Sequence, residues 1–232
     1  MLRLLEHYVS TQGEGPNVGK LTQFVRFAGC NLRCPGWPCD TPYAIEPSLY
    51  RTEQQKVTVN DLADAIYTMW SETSAHNICF TGGEPLIQSQ ADLVRVIDQL
   101  IDVHHEMTFE VFTNGTRVIT SALADLVNFV IDWKLPGSGE DSTNAIRVDN
   151  LQVLKKGDSI KFTIATHEDL VFANALWRKH IMSYPDVEVF VGPVWEQYEA
   201  SSIVEYMKLY YLPWRLNIQV HNYIYGAQKR GI

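Results

Sequence analysis

Three of the four cysteines fall on one short loop, Cys30-Asn31-Leu32-Arg33-Cys34-Pro35-Gly36-Trp37-Pro38-Cys39. Soft thiolate ligands at this spacing suit a metal. Iron–sulfur clusters are held by cysteine thiolates, and three of them leave the fourth iron of a 4Fe-4S cubane open for chemistry. A structural zinc ion takes four ligands, and His7, His76 or another distant residue would have to supply the fourth. In an oxidising compartment two of the thiols could pair instead. On the cysteines alone all three readings stand open. Cys79 differs: it lies in the apolar run Asn77-Ile78-Cys79-Phe80, where a cysteine behaves as a small hydrophobe, and it is expected in the core without a ligand role.

The elements that must position this loop follow from periodicity. Residues 22–28 alternate as a strand and lead straight into the cysteines. Four prolines between positions 35 and 47 keep residues 31–50 irregular. Thr58, with Asp61 in the first turn, caps a helix whose apolar stripe is Leu62, Ile66, Met69 and Trp70. A buried strand from Asn77 ends in Thr81-Gly82-Gly83-Glu84-Pro85. A helix around residues 93–101, a strand at 108–113, a helix at 119–126 and a strand at 127–133 come next. Beyond the loop Pro136-Gly137-Ser138-Gly139, strands are expected at 159–164, 187–191 and 216–220, with helices at 167–181 and 196–210. Strands alternating with helices imply a mostly parallel sheet. The run is too short for an eight-unit barrel. The expected fold is therefore α/β, a partial, open (β/α)6-type barrel in a single domain over residues 1–232. The unusual residues all follow strands, and ligands in such folds bind at the carboxyl ends of strands.

Composition narrows the class. The chain has 232 residues with a formal charge of −8, so its average surface repels long nucleic-acid tracts. No apolar run reaches the length of a membrane span, and the first residues lack the apolar core of a secretion signal. The expectation is a cytoplasmic protein without nucleic-acid or membrane partners.

The cysteine loop after a first long strand, followed by Gly82-Gly83-Glu84-Pro85 after the next, resembles the radical S-adenosylmethionine (SAM) superfamily. Within it, Thr11-Gln12-Gly13-Glu14-Gly15, Arg26-Phe27-Ala28-Gly29-Cys30, Cys39-Asp40-Thr41, Gln219-Val220-His221 and the segment 226–232 look like the 7-carboxy-7-deazaguanine synthase family. The resemblance implies a 4Fe-4S cluster on Cys30, Cys34 and Cys39. A reduced cluster would cleave SAM to methionine and a 5′-deoxyadenosyl radical, which takes a hydrogen from C6 of 6-carboxytetrahydropterin. The ring then contracts with loss of ammonia to 7-carboxy-7-deazaguanine, on the route to queuosine and related deazapurine nucleosides. It further implies SAM contacts at Pro38, Gly83, Glu84, Asp132, Trp133, Lys134, Gly192 and Pro193, and substrate contacts at Gln12, Gly13, Glu14, Arg26, Thr81, His221 and the terminal carboxylate of Ile232. Thr41 matches a Mg²⁺ ligand. An external electron donor and a homodimer are also implied, with Tyr206, Tyr210 and Tyr211 as candidates for an interface.

The sequence departs from the family in two places. Four residues rather than two separate Cys34 from Cys39, which leaves open whether Trp37 or Pro38 meets the adenine. Asp132-Trp133-Lys134 stands where the family reads Ser-Pro-Lys. Taken singly, several residues have plainer readings: Gln12-Gly13-Glu14-Gly15 as a turn, Arg26 as an exposed charge, Thr41 as a cap, Lys134 as a solvated strand end, His221 as a hydrogen-bonded core residue. Two other functions compete: an activating enzyme that places a glycyl radical on a partner protein, and a zinc-binding interaction module.

Overall fold

A computed structural model describes residues 1–37, 39–140, 147–226 and 230–231. Pro38 and Ile232, both named above, lie outside these residues. Nine strands form one sheet in the order β3-β1-β2-β4-β5-β6-β7-β8-β9. The strands are β1 (Leu2–Thr11), β2 (Leu21–Phe27), β3 (Gln55–Val57), β4 (Asn77–Gly82), β5 (Thr108–Thr113), β6 (Asn128–Asp132), β7 (Ser159–Ile164), β8 (Glu188–Pro193) and β9 (Arg215–Leu216). From β2 through β9 every neighbouring pair is parallel, and β1 pairs antiparallel with both β2 and β3. Among the described residues β3 and β9 do not pair, so the sheet is an open barrel of α/β type, as expected.

Period-2 alternation gives each strand two unlike faces. Val25 and Phe27, Ile78 and Phe80, Phe129 and Ile131, Ile160 and Phe162 pack outward against the helices in one apolar cluster. Leu62 and Ile66 of α3 (Val59–Thr73) and Leu93 and Ile97 of α4 (Gln90–Ile101) complete it, all fully buried. The opposite residues (Arg26, Thr81, Glu110, Asp132, Lys161) turn into the barrel. Helix α3 begins where the pattern places it, with a reciprocal capping box between Thr58 and Asp61.

Several elements differ from the sequence expectation. The span 31–50 contains two one-turn helices, α1 (Pro42–Ile45) and α2 (Pro47–Tyr50), each started by its proline, a residue tolerated in a first turn. The helix expected at 119–126 is a single turn, α5 (Ser121–Ala124). The helix after β7 is α6 (His167–Leu176), prolonged by a π turn over Trp177–Ile181. The helix expected at 196–210 starts later, as α7 (Ala200–Tyr210). The last strand stops at Leu216. Asn217 still donates its backbone N–H to Val191, but its side chain accepts from the Gly15 N–H at 2.8 Å. The chain then crosses to the 12–15 loop, where Val220 N–H meets the Gly13 carbonyl, and forms α8 (Val220–Tyr225). His221 therefore sits on a helix, not in a strand. Tyr206 is buried against Tyr210 and His167, so of the three tyrosines named for an interface it is a core residue, while Tyr211 is 92% exposed.

One half-buried histidine makes stability pH-dependent. His7 donates Nε2–H to Gln23 Oε1 at 3.0 Å, and burial pulls its imidazole below the usual range despite that bond. The folded state thus takes up the proton less readily than the unfolded chain, whose value is near 6.5. Stability contributed by neutral His7 is present above that value and is lost as pH falls through it. Urea unfolding at about pH 7.5 and about pH 5.5 should show a smaller acid loss in His7→Gln than in the parent. An equal loss in both would put the acid limb elsewhere.

Candidate active site

The carboxyl ends of the strands open on a cleft with about 590 Å³ of atom-free volume, open solvent at its mouth included. Cys34 and Cys39 line it, together with Glu14, Trp37, Asp132 and Lys134. Gly192 and Pro193 form another part of the wall. All four cysteines are free thiols. Cys30, Cys34 and Cys39 are half-buried and lie within electrostatic reach, since Cys30 raises Cys34 and Cys39 raises Cys30. Burial, the largest influence, pushes Cys34 up to about 12 and Cys30 in the same direction. Metal binding must therefore displace protons from these thiols.

The cysteine loop is held from two sides. On one, Gly83 N–H donates to the Phe27 carbonyl and Glu84 N–H to the Gly29 carbonyl. Gly82 has φ +137°, and a side chain there would strike the Phe27 backbone, so this close seating of loop on loop requires glycine. The Glu84 carboxylate is fully buried. It accepts from Thr113 Oγ1 at 2.6 Å, Leu86 N–H at 2.9 Å and Asn114 N–H at 2.7 Å. Burial still raises its pKa above the usual carboxylate range. Asn114 in turn directs its amide to Cys30 Sγ at 3.8 Å and Asn31 Oδ1 at 3.2 Å. The Glu84 side chain thus anchors loops and does not face the cleft. On the other side, Arg33 and Cys34 donate their N–H groups to Glu140 Oε1 at 2.5 and 2.6 Å, and Gly36 N–H donates to Ser138. Pro35 and Gly36, between Cys34 and Cys39, are seated against this loop after β6. Trp37 faces the cleft, 5.9 Å from the Lys134 ammonium.

Along the inner wall runs a chain of charges. Lys134 Nζ is 3.0 Å from Asp132 Oδ2, Lys161 Nζ is 3.6 Å from the same oxygen, and Lys161 also reaches Glu14 Oε2 at 2.8 Å. Burial alone would raise Asp132, but the two ammoniums outweigh it and hold the carboxyl below the usual range. Trp133 between them points the other way, into the helix-side core beside Phe162, and is 3% exposed. Its side chain is therefore absent from the cleft, a consequence of strand parity.

The remaining residues named from the sequence form two further groups. Gln12 is buried under the cleft and donates to Glu110, which also accepts from Asn17 at 2.8 Å and Asn77 at 3.0 Å. Cys79 is buried as expected, but it abuts Glu110 and Gln12 on the inner face. Gly13 abuts the His221 imidazole. Arg26, the register partner of Thr81, gives Nε–H to Glu6 at 2.9 Å and Nη2–H to Tyr8 at 2.8 Å, with the Tyr43 ring 5.9 Å away. Arg230, near the terminus, also meets Glu6, and stacks 4.1 Å from the Tyr43 ring. Arg26 is thus a paired, half-buried charge and not a solvated one. Thr41 does not cap α1 with its side chain; its hydroxyl lies 3.7 Å from Cys39 Sγ.

Sequence reasoning missed Lys161, Thr163, Trp195 and Asn217, all in the cleft wall. Lys161 carried a signal, a lone charge between Ile160 and Phe162. Asp132 Oδ1, Thr163 Oγ1 and Trp195 Nε1 are buried there without partners. Buried polar atoms are normally satisfied, so these are suited to a polar ligand. The residues suit a cluster and an organic cosubstrate: three free thiols within electrostatic reach of one another, an amide aimed at one sulfur, and orphaned donors and acceptors beside them. Glu84→Ala should leave three donors unpaired, lowering stability by roughly 2–4 kcal/mol. It should also lower iron per chain after reconstitution, with Glu84→Gln intermediate. Chemical denaturation and iron assay check both, and full iron loading in Glu84→Ala would separate Glu84 from the cysteine loop.

Comparison with known proteins gives the family and the fold. The family model described as "4Fe-4S single cluster domain" matches residues 11–155. The 7-carboxy-7-deazaguanine synthase of Clostridium acetobutylicum is 32% identical, with 99% of each chain covered. That of Methanospirillum hungatei is 34% identical over 96% of this chain and 85% of its own. The crystal structure of QueE from Escherichia coli superposes with a TM-score of 0.70 at 20% identity, over 93% of this chain and 92% of that one, and shares the fold. With its cysteine loop, its open barrel and these relatives, the chain belongs to the 7-carboxy-7-deazaguanine synthase family.

Proposed function

We infer that this chain is a radical SAM lyase that converts 6-carboxytetrahydropterin to 7-carboxy-7-deazaguanine with loss of ammonia, in queuosine-type deazapurine biosynthesis. The observation that carries the inference is a set of three free thiols within electrostatic reach of one another, two of them on the wall of a cleft that also holds a buried ladder of paired charges, in a chain aligned end to end with synthases. An activating enzyme for a partner protein finds no counterpart among these relatives.

Cys30, Cys34 and Cys39 would hold the cluster. When bound and reduced, it supplies the electron that cleaves SAM and so generates the radical that abstracts hydrogen from the pterin. The protein's part is position and dryness. The Gly83 backbone, Asp132, Lys134, Gly192 and Pro193 are assigned to SAM. Asp132 has an unpartnered oxygen for a hydroxyl donor, and Lys134 keeps its charge compensated. Glu84 acts through the loops it fastens, and residue 133 contributes backbone only. Gln12, Gly13, Glu14, Thr81 and His221 are assigned to the pterin, with Glu14 accepting from its guanidine-like edge. Arg26, whose guanidinium is already aimed by Glu6 and Tyr8, is assigned to the substrate carboxylate. The position of Arg230 beside Arg26 supports bringing the terminal carboxylate of Ile232 to the same ligand. Thr41, next to a cluster cysteine, would give a hard oxygen to Mg²⁺, which takes such donors and retains waters. A cytoplasmic homodimer served by an external electron donor completes the reading.

The direct test is anaerobic incubation of the reconstituted protein with SAM, a reductant, Mg²⁺ and 6-carboxytetrahydropterin, followed by mass analysis. 7-Carboxy-7-deazaguanine and 5′-deoxyadenosine should appear together. Cys34→Ala should abolish 5′-deoxyadenosine formation, and cleavage at the parent rate would remove the cluster assignment. Arg26→Ala should raise the KM for the pterin more than it slows uncoupled SAM cleavage, because loss of one partner of a desolvated charge pair costs roughly 2–5 kcal/mol. An unchanged KM would return Arg26 to a purely structural role with Glu6.

A further inference from the structure

Lys161 interrupts an otherwise apolar strand. Its neighbours Ile160 and Phe162 are fully buried on the helix side, and parity turns the lysine into the cleft. There its ammonium lies 2.8 Å from Glu14 and 3.6 Å from Asp132. The two carboxylates differ in what else holds them. Asp132 has a second ammonium, Lys134, at 3.0 Å. Glu14 has, besides Lys161, only the Asn217 side-chain amide at 3.4 Å among the described residues, a long neutral contact. Removing Lys161 would leave Asp132 compensated and Glu14 not.

We propose that Lys161 is a positioning residue for the pterin, acting through Glu14. This rests on the assignment of Glu14 to the substrate's donor edge. A carboxylate with one oxygen fixed on a buried ammonium presents its remaining lone pairs in one direction, so little ordering is left to be done when the ligand arrives. Glu14 sits in the turn between β1 and β2, 147 positions from Lys161, and the ammonium ties this turn to the central parallel strands. A purely stabilising ion pair is the weaker explanation, because desolvating two charges commonly cancels the attraction between them.

The test is a double-mutant cycle on reconstituted enzyme, using K161M, E14Q and E14Q/K161M, with 6-carboxytetrahydropterin KM from product formation and SAM Kd from equilibrium binding. K161M should raise the pterin KM by about tenfold or more while SAM Kd moves by less than about threefold. E14Q alone should raise the pterin KM, and adding K161M to it should change that KM by less than about threefold, because the carboxylate through which Lys161 acts is gone. The double variant removes both charges together, so its comparison with E14Q stands even if K161M fails to fold. Multiplicative effects on the pterin KM, or a loss of SAM affinity equal to the loss for the pterin, would overturn the role of Lys161 while leaving Glu14 a substrate residue. A pterin KM unchanged in E14Q would overturn both the assignment of Glu14 and this proposal.

Discussion

Beneath the cysteine loop the Glu84 carboxylate is cut off from water and depends on the protein for every hydrogen bond. Its donors come from the end of β5 and from its own turn, while its backbone N–H binds the Gly29 carbonyl next to Cys30. One buried acid therefore sets the relative position of three strand ends. The cost of desolvating it is visible in its raised pKa, and the three donors offset that cost only while the loops stay together. Charged groups buried in this way are expensive to leave unpaired. The same bonds that hold Glu84 therefore seat the Cys30 end of the loop, while Glu140 holds Arg33 and Cys34.

The inner wall obeys a different logic from the outer. Outward, the strands pack aliphatic and aromatic side chains on helices, and the hydrophobic effect supplies the stability. Inward, Glu14, Lys161, Asp132 and Lys134 form a ladder of alternating charge, and Glu110 gathers three amide donors below it. Buried ion pairs of this kind contribute little net stability. Their value lies in fixed polarity, which a site that must orient two polar ligands and exclude water can use. The orphaned atoms of Asp132, Thr163 and Trp195 mark where that polarity is unspent.

The two ends of the sheet meet at the mouth through loops, not through strand pairing. Asn217 leaves β9 to bind Gly15, Val220 binds Gly13, and Gln219 reaches Asp40 on the cysteine side. The closing segment thus touches both the proposed substrate turn and the cluster loop. Arg230 extends the same connection to Glu6 and Tyr43 beside Arg26.

Read without coordinates, the chain already disclosed the cysteine loop, the glycine-rich motif after the next strand and the alternation that makes an open parallel barrel. These are local signals: ligand spacing, turn chemistry and a period of two or 3.6 residues act within a few positions. The resemblance of short motifs then named the chemistry. What stayed hidden depended on contacts between distant positions. Parity says that Asp132 and Trp133 face opposite ways, but only packing decides that Trp133 joins the core and Asp132 the cleft. The last strand was cut short because Asn217 found a partner 202 positions away. The anchoring bonds of the Glu84 side chain were hidden as well, since two of its three donors, Thr113 and Asn114, belong to another strand's end. Lys161 shows the same limit, as its nearest carboxylate lies 147 positions earlier. Periodicity assigns a side chain to a face, whereas partners within a face are set by the order and stagger of strands, which no local stretch of sequence contains.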